Sequence, residues 1–280
     1  GAAVTDGYNA GHGLPFDSEG MKERYPGIFF SQFTGAELVA DKWNLSREDL
    51  DQFAMESHQK AAHATESKYF DKEILPVEGK NAEGINDLVM ADEGIRFDAS
   101  LDKLAGLKPV TEGGVITAGN ASQITDGAAA VVICNDAGLK KIQSNPRAEI
   151  VSISVVGDDP VFMLTGPIPA SKKALETANL TIDDIDLYEV NEAFAPVPLA
   201  WADDLKADKS KLNVNGGAMA LGHPLGATGA KLMTTLLHEM ERRESTYGLQ
   251  AICEGGGTAN ATIIKLSLIH ISEPTRLATI

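Results

Sequence analysis

The chain has 280 residues, 43% of them hydrophobic, enough for a sizeable core and for two subdomains. Its formal net charge of −16 argues against general nucleic-acid binding, which needs basic surface to meet phosphates, but leaves room for a small phosphorylated ligand on local lysines, arginines or backbone amides. Two cysteines, Cys134 and Cys253, are too few for a disulfide framework and point to a reducing compartment.

No apolar run is long enough to span a bilayer, and the first residues lack the basic-then-apolar pattern of a secretory signal. There is no CxxC, Walker-type loop or HExxH, so zinc, nucleotide-triphosphate and metalloprotease chemistry find no support. Residues 1–33 read as irregular, with Gly11-His-Gly-Leu-Pro15 and Tyr25-Pro-Gly27 as turn signals. His12, between two glycines, reads as a turn or surface residue. Ala36, Leu38, Val39 and Trp43 predict a short helix over 35–43. Ser46 with Asp49 resembles a capping box opening a longer helix, whose Leu50, Phe53, Ala54, Ala61 and Ala64 recur at helical spacing as far as about Phe70. His58 and His63 on that helix read as solvated or core-edge.

Short strands are expected at 73–77 and 114–117, with turns at 118–122 and 125–127. The apolar, β-branched run Ala128–Cys134 is bounded by glycine and by Asn135-Asp136, which predicts a strand buried on both faces with Cys134 as a small core residue. After Asn145-Pro146 a second unit begins: a strand over 148–156, a helix over 170–178, a strand over 186–190 stopping at Asn191, and a helix over 193–205 interrupted by Pro196 and Pro198. Strands alternating with helices indicate layered α/β architecture.

Between 213 and 231 the glycines Gly216, Gly217, Gly222, Gly226 and Gly229 surround His223, and from Thr228 the residues Leu232, Met233, Leu236, Leu237 and Met240 take up helical spacing. His223 therefore stands where a glycine-rich loop feeds a helix. A strand over 249–253, the turn Glu254-Gly-Gly-Gly257 and a strand over 259–266 follow. Asn191 and Cys253 both fall at carboxyl ends of predicted strands, where ligands bind in α/β sheets. His223 can move a proton near neutral pH. Cys253 beside the amides of Gly255–Gly257 is expected to ionise more easily, and the same amides could hold an oxyanion. Asn191 offers a neutral amide for a water or an oxygen. Taken singly, each also fits an ordinary structural role: a histidine on a turn, a buried strand-end cysteine, a capping asparagine.

Taken together, Asn191-Glu-Ala-Phe-Ala195, Gly222-His-Pro-Leu-Gly226 and Cys253-Glu-Gly-Gly-Gly257 resemble the three C-terminal motifs of thiolases, in the same order and at comparable spacing. Thr117-Ala-Gly-Asn-Ala-Ser122 with Asp126-Gly-Ala-Ala129 resembles the thiolase segment that returns from the loop domain to the core sheet. The resemblance implies a thiolase-like layered α/β/α fold with the C-terminal domain complete, the loop domain present and the N-terminal domain mostly missing. The expected division is a loop domain over 1–118, a returning N-domain segment over 119–147, the C-terminal domain over 148–266 and a non-family tail over 267–280 that includes His270.

By the same resemblance, His223 activates the nucleophilic cysteine and helps form an oxyanion hole. Asn191 holds a water there, Cys253 is the acid/base at the α-carbon, and Gly255 is the backbone donor of a second oxyanion hole. Ser122 contacts the pantetheine of coenzyme A, with Ala193 and Phe194 as further substrate-binding positions. Asn-Glu-Ala-Phe sets the chain apart from the sterol-carrier branch, where a histidine begins that motif. Phe30-Ser-Gln-Phe33 stands where many thiolases carry a His-Met pair lining the acyl pocket.

No residue matches the family's nucleophilic cysteine, so these 280 residues are expected to be inactive although the full-length protein would be a thiolase-type acyltransferase. The alternative is a non-catalytic acyl-CoA-binding subunit; a ketoacyl synthase is disfavoured by Cys253 in its glycine turn. Coenzyme A and acyl-CoA are expected as substrates with no separate cofactor or metal, no nucleic-acid or membrane partner, a homodimeric or homotetrameric assembly, and a bacterial-like cytoplasmic location.

Overall fold

A computed structural model describes Gly11, residues 16–80 and residues 84–267. His12 and His270 lie outside the described residues, as does the tail beyond Ser267.

Among the described residues three helices come first: Glu19–Arg24 (α1), Gln32–Lys42 (α2) and Arg47–Glu66 (α3). The capping box at α3 is formed as expected. The Asp49 backbone N–H donates to the Ser46 hydroxyl at 3.2 Å, while the Ser46 N–H donates to the Asp49 carboxylate at 2.8 Å. The predicted apolar stripe, Leu50, Phe53, Ala54, Ala61 and Ala64, is buried. His58, expected to be solvated or at the core edge, is instead buried and accepts the Arg96 backbone N–H at 3.1 Å. An antiparallel hairpin, Val77–Lys80 (β1) with Asn86–Val89 (β2), and the short helix Leu101–Ala105 (α4) complete this part. The strands expected at 73–77 and 114–117 are not formed there: the hairpin starts at Val77, and Thr117 makes only an isolated bridge to Pro109.

The apolar run 128–134 departs furthest from expectation. It forms no strand, and Val132 and Ile133 are 85% and 70% exposed. A strand buried on both faces needs paired neighbours and covering layers, and the described residues provide neither here. Cys134 is accordingly exposed rather than a core residue. It is followed by helix Asp136–Ile142 (α5), which buries nothing.

From residue 148 the expected α/β unit is present. Strands Ala148–Gly157 (β3), Leu187–Val190 (β4), Tyr247–Cys253 (β5) and Thr258–Leu266 (β6) form one sheet in the order β3-β6-β5-β4. The β3/β6 and β6/β5 pairs are antiparallel and β4/β5 is parallel. Helix Pro167–Ala178 (α6) packs on one face of the sheet, with Pro196–Leu205 (α7) against it, and Thr228–Arg243 (α9) packs against β4 and β5. Leu249, Ala251 and Cys253 of β5 join the main core with Ala170, Ala174 and Trp201, whereas Leu187 of β4 and Ile264 and Leu266 of β6, on the other face of the sheet, form a second cluster with Leu236 and Met240 of α9. The prolines do not interrupt α7. Pro196 stands at its first turn, where a missing N–H costs nothing, so the helix starts at Pro196 and not at Ala193. A single helical turn, Ala218–Leu221 (α8), carries the glycine-rich loop against α3.

Candidate active site

The site is built where β4 and β5 end side by side. The Asn191 backbone N–H donates to the Ala251 carbonyl at 3.0 Å, which extends the parallel pairing by one residue. On the other edge of β4, Asn213 serves as a strand neighbour: the Val190 N–H donates to its Oδ1 and its Nδ2 donates back to the Val190 carbonyl, both at 2.9 Å. The end of β4, at Val190 and Asn191, is therefore held on both sides.

The glycine-rich loop is locked under α3 by a buried carboxylate. Glu192 accepts from the Ser57 hydroxyl at 2.7 Å, from Asn213 Nδ2 at 2.9 Å and from the Met219 N–H at 3.2 Å, while Ser57 Oγ accepts the Gly217 N–H at 3.0 Å. Burial pushes the Glu192 pKa up and these hydrogen bonds oppose that shift. A Cβ on Gly217 would lie 2.3 Å from the Glu192 carboxyl carbon, so no larger residue fits. Gly216 has φ +80°, and a Cβ there would meet the Ser57 carbonyl oxygen at 2.5 Å.

His223 follows from this anchoring. Its N–H donates to the Gln123 carbonyl at 3.1 Å. On the ring, Nε2 lies 3.3 Å from Asn191 Nδ2, and Nδ1 lies 2.6 Å from Thr228 Oγ1 at the start of α9. Burial first, then the nearby Lys231 charge, holds the imidazole pKa below its usual value, so the neutral base is favoured at pH 7. Among the described residues, Asn191 Oδ1 is a buried acceptor with no hydrogen-bond partner. An open cleft of about 460 Å³ lies next to His223, between residues 125–129 and 224–227.

Ser122 reaches the same place by a separate route. Its N–H donates to the Ala193 carbonyl at 2.9 Å, and the Ala195 N–H donates to the Asn120 carbonyl at 2.9 Å, so residues 120–122 bridge to 193–195 as a short antiparallel pair. Phe194 is buried and meets the Phe33 ring edge-on, with centroids 5.4 Å apart. Gln123 completes the link, its Nε2 donating to the Gly94 carbonyl at 2.8 Å and the Met219 carbonyl at 2.6 Å.

Cys253 ends β5 but packs in the main core with Leu249 and Ala251. The expectation of an easily ionised thiol is overturned. Burial, with a smaller contribution from the neighbouring Glu254 charge, pushes its pKa up to about 12, so it is a neutral S–H. The loss of solvent at the strand end outweighs the backbone amides. Gly255 is exposed and has open space beside it, while Gly256 and Gly257 take positive φ. Asn191, His223, Ser122, Ala193 and Phe194 are thus connected through direct hydrogen bonds and adjacent positions, and Cys253 lies at the neighbouring strand end. Ser57, Glu192, Asn213, Gln123 and Thr228 support the site without having been singled out. Of these, Glu192 stands inside the Asn-Glu-Ala-Phe motif, Asn213 at the head of the glycine-rich stretch and Thr228 at a helix start. Among the described residues no cluster of His, Cys, Asp or Glu is arranged to hold a metal.

Comparison with known proteins agrees with this arrangement. Residues 18–137 match the family model described as thiolase, N-terminal domain, and residues 144–266 match thiolase, C-terminal domain. The first match corrects the expectation that the N-terminal domain is mostly missing, since 18–137 carries sequence of that domain. The chain is 51% identical over 265 residues to a protein named steroid 3-ketoacyl-CoA thiolase FadA6 from Mycobacterium tuberculosis, covering 94% of this chain and 64% of that protein. It is 46% identical over 231 residues to an acetyl-CoA acetyltransferase from Cupriavidus necator, covering 82% of this chain and 59% of that one. A crystal structure of human mitochondrial 3-ketoacyl-CoA thiolase in complex with CoA superposes with a TM-score of 0.77 at 42% identity, covering 84% of this chain and 58% of that chain. The chain therefore spans about three fifths of the length of these relatives. Their names give no support to a non-catalytic acyl-CoA-binding subunit. With both domain models matched in order, and with the three motifs gathered at neighbouring strand ends and their connecting loop, the chain belongs to the thiolase family.

Proposed function

We propose that this protein works as a thiolase, transferring an acyl group between a 3-ketoacyl-CoA and coenzyme A to release acetyl-CoA, or running the reverse Claisen condensation. The reading rests on the contact between Asn191 and His223 beside the strand end that carries Cys253. In the degradative direction a thiolate attacks the 3-keto carbon, the C2–C3 bond breaks, and the departing acetyl-CoA enolate takes a proton. Coenzyme A then displaces the acyl group from the enzyme thiol, so one difficult step becomes two easier ones.

Within that scheme His223 Nε2 accepts the proton of the attacking thiol. His223 and an oxygen held by Asn191 stabilise the thioester oxyanion. Cys253, kept protonated by burial, suits the role of acid toward the enolate, with the Gly255 N–H as an oxyanion donor. Ser122 is assigned to the pantetheine arm, with Ala193 and Phe194 as further substrate-binding positions. On this reading neither cysteine is the acyl-accepting thiol, since Cys253 is buried and protonated and Cys134 is an exposed residue just before α5. The 280 residues by themselves are therefore expected to bind CoA thioesters but not to turn them over.

Calorimetric titration with acetyl-CoA, paired with thiolysis of acetoacetyl-CoA, tests both parts. Absence of any acetyl-CoA binding by the folded chain would sink the functional reading. Thiolysis at an ordinary enzymatic rate would sink the assignment of the nucleophile.

A further inference from the structure

His223 can act as a base toward the site only if its free lone pair is on Nε2, and imidazole has two neutral tautomers. The neighbours of Nδ1 decide which one forms. Thr228 is 2% exposed, so its hydroxyl has no solvent to turn toward. Its Oγ1 lies 2.6 Å from His223 Nδ1 and 3.1 Å from the Pro224 carbonyl oxygen. A carbonyl oxygen only accepts, and a threonine hydroxyl carries one proton. The hydroxyl therefore donates back to Pro224, four residues earlier, in the manner of threonine in a first helical turn. The Pro224 carbonyl also receives the Ala227 and Thr228 N–H groups at 2.7 and 3.0 Å, which fixes its position. With its one proton committed, Oγ1 meets Nδ1 as an acceptor, and the 2.6 Å contact requires the proton to be on Nδ1. The other ring nitrogen agrees: Asn191 Nδ2 is oriented to donate to Nε2.

We propose that Thr228 is a positioning residue that holds His223 as the Nδ1–H tautomer, leaving Nε2 as the free base facing Asn191 and the site. The inference deepens the thiolase reading and rests on it for its consequence, but not for its geometry. A ring donating to a hydroxyl that is itself locked to the helix start cannot rotate or exchange tautomer without breaking two hydrogen bonds. The entry to α9 therefore sets which nitrogen reacts. Thr228 touches no substrate in this scheme; it acts through His223.

Long-range ¹⁵N–¹H NMR of side-chain-labelled protein reads the tautomer directly and needs no substrate. The His223 signals are assigned by their disappearance in His223→Gln. The expected result is an Nδ1–H pattern for His223 in the parent chain, its retention in Thr228→Ser, and its loss toward the Nε2–H form in the near-isosteric Thr228→Val. An Nε2–H pattern in the parent chain overturns the proposal outright, even if Thr228→Val fails to fold. Retention of the Nδ1–H pattern in folded Thr228→Val overturns it as well. Acetyl-CoA binding measured on the same samples separates the two ideas, since it can fail while the tautomer assignment stands.

Discussion

The Ser57 hydroxyl donates to the Glu192 carboxylate at 2.7 Å across 135 residues of sequence, joining the middle of α3 to the segment that carries Asn191. Both groups are buried, and Ser57 Oγ also accepts the Gly217 N–H. Replacing Ser57 by alanine leaves one carboxylate oxygen short of a donor and one buried N–H unpaired. Ser57→Ala should lower unfolding free energy by about 1–3 kcal/mol. Urea denaturation checks this, and a midpoint indistinguishable from the parent would show that the link contributes little.

The same junction allows no side chain at Gly216. Its φ is +80°, and a Cβ would sit 2.5 Å from the Ser57 carbonyl oxygen and 2.8 Å from the Ala61 Cβ. Backbone and helix atoms cannot step aside as a flexible side-chain tip can. Gly216→Ala should cost at least about 2 kcal/mol through left-handed strain and overpacking together. At the exposed Gly226, where an added Cβ meets nothing within 4 Å, the same change should be near neutral by thermal melting.

The two cysteines should differ in reactivity in the direction opposite to their chemical roles in the proposed reaction. Alkylation requires thiolate. With its pKa pushed up to about 12, Cys253 is protonated and buried at pH 8, whereas Cys134 is exposed. Iodoacetamide under native conditions should label Cys134 and spare Cys253, with both labelled in denaturant. Peptide mass spectrometry showing Cys253 modified first would contradict the burial argument.

Glu73 introduces a pH dependence. Burial raises its carboxyl pKa from 4.5 to about 7, with the Asp92 and Glu239 charges adding to the rise and the Thr235 hydrogen bond and Lys231 opposing it. His238 Nδ1 is 3.5 Å away, and burial holds that imidazole below its usual pKa. A folded-state pKa above the unfolded one means that the native chain binds the extra proton. The contribution to stability is complete below pH 4.5 and is lost as pH rises through about 7. Glu73→Gln should therefore match the parent near pH 4.5–5 and be more stable at pH 8, by roughly 1–3 kcal/mol. Chemical denaturation at the two pH values decides it; a stability difference that does not change with pH removes Glu73 as the source.

Much of the framework is legible in the sequence alone. The capping box at Ser46, the stripe on α3, the strands over 148–156 and 186–190, and the helix after Thr228 follow from residue spacing and local hydrogen bonding, which depend on neighbours along the chain. The three motifs around Asn191, His223 and Cys253 marked the family for the same reason: they are contiguous and ordered. The prolines at 196 and 198 are ambiguous in sequence, because a proline ends a helix from within and favours one from its first turn, and residue spacing does not fix where the first turn lies.

Other properties were decided only by tertiary contacts. An apolar run such as 128–134 resembles a buried strand whether or not partners cover it, because hydrophobicity records what a residue prefers, not what surrounds it. The ionisation of Cys253 is set by desolvation, which depends on the whole core about it, including residues of β6 and α6. The supports of the site (Ser57 to Glu192, Gln123 to Met219, Thr228 to His223) required the fold to bring those groups within hydrogen-bond reach. Sequence named the groups able to do the chemistry. Only the fold set their protonation and their direction, since both depend on which atoms lie within about 3 Å in space.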